Sequence, residues 1–75
     1  MTAQMEESDI PDFNERLREF IRIARIEAGV SQPQLAKMLG VHPSKVSRWE
    51  TGHTVPASTM IFKIAWVLGK EIKLT

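Results

Sequence analysis

The chain contains no cysteine. Disulfides and thiolate metal sites are therefore excluded, which fits a reducing interior. No apolar run approaches the roughly 18–20 residues needed to cross a bilayer. No basic start followed by an apolar block marks a secretory leader. A cytoplasmic protein without membrane attachment is the expectation. The signatures of catalysis are missing as well: there is no nucleophile–base pair, no paired carboxylates and no phosphate loop, and 75 residues offer little pocket. His42 and His53 lie far apart in sequence with no carboxylate cluster beside them, which makes a poor metal site. No enzymatic activity, cofactor or metal is expected. There is no internal repeat and no low-complexity segment. A chain this short makes one domain with a small core, so marginal stability or help from a partner chain follows. It has no room for a separate sensor or cleavage domain, so control is expected from dilution, degradation or another protein.

Positive charge is absent from the first fifteen residues, which hold Glu6, Glu7, Asp9, Asp12 and Glu15. All ten Lys and Arg fall in residues 16–75, against Glu19, Glu27, Glu50 and Glu71. The formal net charge of +1 thus divides into −5 and +6. A moderately basic surface attracts phosphate backbones, although an excess of this size is also ordinary for a solvated domain. Residues 1–9 show no periodicity; residues 1–11 read as a flexible acidic N-terminal arm and residues 12–75 as the folded domain.

The spacing predicts four helices. The first runs from about Phe13 to Ala28. Asp12 is its N-cap, Glu15 completes a capping-box pattern, and Gly29 stops it. Phe13, Leu17, Phe20, Ile21, Ala24 and Ala28 form its apolar face. Ser31 caps the second helix and Pro33 sits in its first turn. Leu35, Ala36 and Leu39 face inward, Gly40 ends the helix, and Val41 plugs the turn. The third opens near His42, carries Pro43 in its first turn and ends at about Thr51 before Gly52. Val46 and Trp49 face its core side. The fourth covers about Ser58 to Leu68, with Ile61, Ile64, Ala65 and Leu68 inward and Gly69 as its stop. Lys70 to Thr75 alternate polar and apolar residues, a short strand pattern.

The stretch from Ser31 to Gly52 therefore reads as helix, tight turn, helix, an arrangement that leaves one helix free to enter the DNA major groove. Such a helix needs small or polar residues near its start and donors or acceptors that reach base edges, with Arg or Lys on guanine the commonest specific contact. Ser44, Lys45 and Arg48 meet that description on one face. Gln32 adds a side-chain contact at the start of the second helix, where N–H groups face phosphate. The plainer reading of Lys45 and Arg48 is a solvated face.

Ser31-Gln32, Leu35-Ala36, Leu39-Gly40-Val41, Val46-Ser47-Arg48-Trp49-Glu50, Gly52, Pro56 and Ile64-Ala65 with Leu68-Gly69 carry a resemblance. In order and spacing they resemble the phage repressor and Cro-type helix-turn-helix family, also called the xenobiotic response element family, over about Leu17 to Gly69. The resemblance implies a compact all-α, lambda-repressor-like domain of four to five helices that binds operator DNA as a dimer. It also implies bacterial or phage origin and residence at the nucleoid. By position, Gln32 is similar to the family's phosphate-anchoring glutamine. Pro43, Ser44 and Arg48 fall where the family reads bases. Lys45 and Ser47 lie on the same helix, and Thr51, Gly52 and His53 fall where the following loop meets phosphate. Arg25 and Glu50 match a structural ion pair between the first and third helices. Position 43 is often a base-reading glutamine; proline cannot play that part, so specificity shifts toward Ser44 and Arg48. Ala57 replaces a capping serine, which moves the cap to Ser58.

Trp66 and Phe62 lie off the inward face of the fourth helix, and exposed paired aromatics mark interfaces. Phe62, Trp66, Val67, Ile72 and Leu74 are the candidate dimer interface; the alternative is that Trp66 folds over its own chain's tail. Ile23 and Ile26 lie outside the main apolar stripe and meet either the acidic arm or a partner protein. The expected function is a sequence-specific double-stranded DNA-binding regulator, a repressor, acting on a palindromic operator as a homodimer. The rival is an interaction module, an antitoxin or adaptor, holding a partner protein such as a toxin or second regulator. A phage switch, a restriction–modification controller and an autoregulating antitoxin all fit.

Overall fold

The computed structural model describes residues 12–71, so the acidic arm and the strand pattern around Ile72 and Leu74 lie outside the described residues. The described chain is all-helical: α1 (Phe13–Glu27), α2 (Gln32–Leu39), α3 (Pro43–Thr51) and α4 (Ser58–Val67).

Three of the four helix starts are held by a local side-chain cap. Asp12 is extended and its carboxylate accepts from the Glu15 backbone N–H, satisfying one of the orphan donors of α1. The returning bond from the Glu15 side chain is not made, so only half of the capping box forms. At α2 the box is complete: the Ser31 hydroxyl accepts from the Gln34 N–H at 3.1 Å, and the Gln34 amide oxygen accepts from the Ser31 N–H at 2.7 Å. α3 is capped by His42, whose Nδ1 accepts from the Ser44 N–H at 3.1 Å. α4 begins after Ala57 with no side-chain cap. The expected transfer of the cap to Ser58 does not occur, because Ser58 is already the first helical residue.

Ile21, Ala24, Leu35, Ala36, Leu39, Val46, Trp49, Ile64 and Leu68 form one buried cluster. Leu17, Phe20, Val30, Val41, Met60 and Val67 pack around it half-buried. All four helices contribute, and α3 rests on α1 and α2 through Val46 and Trp49. Three expectations need correction. Phe13, 66% exposed, and Ala28 are not core residues. At 15 residues α1 is longer than α2 with 8 or α3 with 9, so its ends overhang the layer they cover. Ile61 is half-buried, because the line of α4 that meets the core runs from Ile64 and Ala65 to Leu68. Val67 packs against the core beside Leu68, which limits its share in an external interface.

Gly40 and Gly52 end α2 and α3 in the left-handed region, at φ +73° and +82°. Space for a Cβ exists at Gly40 but not at Gly52, where it would lie 2.8 Å from Arg18 Cδ and Nη1. Gly40→Ala is expected to cost about 1–2 kcal/mol from backbone strain alone. Gly52→Ala is expected to cost more, because Arg18 must also leave the carbonyl of Thr51, to which Nη1 donates at 3.5 Å. Urea midpoints compare the two; equal losses would mean that Arg18 swings aside freely.

Candidate nucleic-acid interface

The polar side of α3 is what the buried side leaves over. Val46 and Trp49 point inward. Pro43, Ser44, Lys45, Arg48 and Thr51 are exposed and Ser47 is half-buried. α3 has no acidic residue in its first turn. The structure therefore brings Ser44, Lys45 and Arg48 onto one open face. A cleft of about 270 Å³ separates that face from the following loop, with Lys45, Arg48, Trp49 and Val55 among its walls.

The ends of α3 are held by side chains. At the start, the His42 imidazole receives the Ser44 N–H and lies 2.8 Å from the Ser44 hydroxyl. At the end, the Thr51 hydroxyl donates to the carbonyl of Ser47 at 2.9 Å and lies 2.8 Å from Nδ1 of His53. His53 is exposed in the loop that follows.

Arg25 and Glu50 meet behind this face. Arg25 Nε donates to Glu50 Oε2 at 2.7 Å and Nη2 donates to Oε1 at 3.0 Å, a two-pronged pair. Nη1 donates to the carbonyl of Val30 at 2.9 Å. The side chains are 14% and 4% exposed, so water competes little. The hydrogen bond to Glu50 raises the Arg25 pKa above its ordinary value, against the opposing effect of burial, and the carboxylate charge adds to the rise. That contribution to stability is complete at neutral pH and is lost only as strong alkali deprotonates the guanidinium. The pair ties α1 to the last turn of α3.

Gln32, expected to face phosphate, is half-buried, and its Nε2 donates to Glu50 Oε1 at 3.2 Å. One amide hydrogen and the amide oxygen remain for an outside partner. Gln32 thus joins the start of α2 to the Arg25–Glu50 pair. Two further ties had no signal in the sequence. Arg18 reaches the C-terminal end of α3 at Thr51. Lys63 on α4 donates to the carbonyl of Leu39 at 2.8 Å, closing the end of α2. Both join positions far apart in the chain, and neither belongs to a local motif.

Among the described residues no group of three His, Cys, Asp or Glu is placed to hold a metal ion. No helix among them is long and apolar enough to cross a membrane. Phe62 and Trp66 stand on the outer side of α4, 48% and 84% exposed.

The fold is similar to that of a chain in a complex of a HipB variant with an O2 20mer. The TM-score is 0.69 over 100% of this chain and 96% of that one, at 21% sequence identity. In sequence, the chain is 30% identical over 76 aligned residues to multiprotein-bridging factor 1c of Arabidopsis thaliana. The match covers 96% of this chain and 51% of the relative, so the chain spans about half the length of the curated relative it matches. The family model described as Helix-turn-helix matches residues 21–74, which include α2, α3, α4 and the Arg25–Glu50 pair, and the chain belongs to that family of DNA-binding regulators.

Proposed function

We infer that the chain is a sequence-specific regulator that lays α3 in the major groove of a palindromic operator and acts as a homodimer, repressing transcription. The observation that carries this reading is the open polar face of Ser44, Lys45 and Arg48 on a helix whose opposite side is anchored by Val46, Trp49 and the Arg25–Glu50 pair. A reading helix must be rigid from behind and unobstructed in front, and these residues supply both conditions. Ser44 and Arg48 face base edges, Lys45 faces a base or phosphate, and Pro43 lets the backbone approach. Gln32, Ser47, Thr51 and His53 meet the sugar–phosphate backbone. The HipB complex, which by its name holds a 20mer, supports this reading through shared fold. Selecting bound sites from a random duplex pool near physiological salt tests it. Symmetric half-sites about 10 bp apart are the expected result; a pool without enrichment would sink it.

Phe62 and Trp66, with Ile72 and Leu74, form the proposed contact between two copies. An indole 84% exposed on the outer side of α4 supports that assignment. Trp66→Ala is expected to shift the chain toward monomer in sedimentation, with thermal stability of the monomer little changed. A variant as dimeric as the parent would return Trp66 to its own chain's tail.

A second reading has its own support. The relative from Arabidopsis thaliana is by name a multiprotein-bridging factor, and Ile23 and Ile26 are 48% and 52% exposed on the outer face of α1. In that reading the domain holds a partner protein, and the polar face of α3 is spare. Failure of site selection together with retention of a partner on the α1 face would favour it.

A further inference from the structure

The two histidines bracket α3, and their hydrogen bonds respond differently to a second proton on the ring. The Ser44 backbone N–H can only donate, so His42 Nδ1 accepts at 3.1 Å and the ring carries its proton on Nε2. His42 must remain neutral to cap the helix. His53 has a partner that can accept. The Thr51 hydroxyl has one hydrogen, and its two carbonyl neighbours, Ser47 O at 2.9 Å and Arg48 O at 3.3 Å, can only accept. That hydrogen can go to the helix carbonyls, which leaves the hydroxyl oxygen free to accept from His53 Nδ1–H across the 2.8 Å separation. With both ring nitrogens protonated, Nδ1–H is held by the Thr51 oxygen and Nε2–H is left for an outside acceptor. Charging His53 breaks no bond in the structure, whereas charging His42 would cost α3 its cap.

We propose that His53 is a proton-coupled phosphate contact: it binds a DNA phosphodiester through Nε2–H as the imidazolium and takes up a proton when it does so. This rests on the DNA-binding reading above and adds a regulation to it. The surroundings of His53 agree with the assignment. Ser47, Arg48, Thr51, His53 and Thr54 line one shallow hollow at the end of α3. Arg48 on α3 supplies positive charge there, and Arg18 on α1 supplies more at Thr51 and Gly52. On the α1 side, Asp12 and Glu15 line the adjoining cavity of about 220 Å³ together with Arg18, Gly52 and Thr54. A phosphodiester entering the hollow meets Arg48 and gives Nε2–H an acceptor, which stabilises the charged ring in the complex. Imidazole is the side chain that changes charge between about pH 5 and 8. Affinity for DNA should therefore rise as pH falls toward 6, through the linkage between proton and ligand binding.

The test uses the full chain, mixed-sequence duplex DNA and fixed ionic strength, with fluorescence anisotropy from pH 8 to about pH 6. Calorimetry in buffers of different ionisation heat counts the protons. The parent is expected to gain about five- to tenfold in affinity per bound chain and to take up about half a proton. His53→Gln should lose both effects, giving a flat profile that falls below the parent at pH 6. His53→Lys should bind more tightly at pH 8 with a flat profile, a rescue by charge that a structural role would not produce. His42→Asn keeps a capping side chain without a titratable ring, and it should retain the parent's profile. A flat profile in the parent, or a sloping one in His53→Gln, overturns the coupling alone. A parent that binds no DNA at any pH overturns the DNA reading and the coupling together.

Discussion

Glu50→Ala is expected to remove most of the molecule's stability margin. The carboxylate is almost wholly buried and accepts three hydrogen bonds, two from Arg25 and one from Gln32. Its removal leaves a largely buried guanidinium with only the Val30 carbonyl as partner and an amide without its acceptor. Breaking one side of such a pair costs roughly 3–5 kcal/mol. A domain of this size commands on the order of 5–10 kcal/mol in total. In a domain of 60–100 residues each kcal/mol moves the melting temperature by about 4–8 °C, so a fall on the order of 20 °C follows. The sign changes when both partners go. Arg25→Met with Glu50→Leu removes both charges and refills the space, and buried pairs replaced in this way are often neutral or more stable. Urea denaturation of the parent, both single variants and the double variant closes a cycle and reads the coupling directly. A loss below about 1 kcal/mol for Glu50→Ala would place the pair among solvated surface pairs. Where the cycle behaves as expected, the double variant separates two roles. Its regained stability without regained DNA affinity would mean that the pair sets the angle of α3 as well as holding it.

Arg48→Ala should have the largest effect on binding itself. Arg48 is exposed on the open face of α3, one turn beyond Ser44, on the flank away from Val46 and Trp49. Its truncation exposes no core residue, so the folded state should change by no more than about 0.5 kcal/mol. A base contact by arginine is worth about 1–3 kcal/mol. A symmetric operator read by two copies counts that loss twice, or roughly 2–6 kcal/mol for the dimer. Discrimination at one position of each half-site should relax in parallel. Titrations on the selected operator and on random DNA separate two roles. A loss confined to the operator marks base reading. Equal losses on both, with a shallower salt dependence, would mark Arg48 as a phosphate contact instead.

What was legible in the sequence was whatever a few adjacent residues decide. Asp12, Ser31 and His42 start helices, Gly40 and Gly52 end them, and Pro33 and Pro43 sit where a missing N–H costs nothing. These are short-range rules of backbone hydrogen bonding, and the apolar spacing of Ile21, Leu35, Val46 and Ile64 follows the helical period. The family resemblance rests on the same positions. Where the local rules met a boundary of the molecule they stopped short: Phe13 has the right spacing for a core residue and no layer beneath it. Ser58 has the right chemistry for a cap but sits one residue too late.

Tertiary structure alone decided the ties between distant positions. That Gln32 turns to Glu50, that Arg18 reaches the end of α3 and that Lys63 closes α2 all depend on which helix surfaces meet. No local pattern records this, because a long, flexible side chain chooses its partner from whatever the packed helices bring within reach.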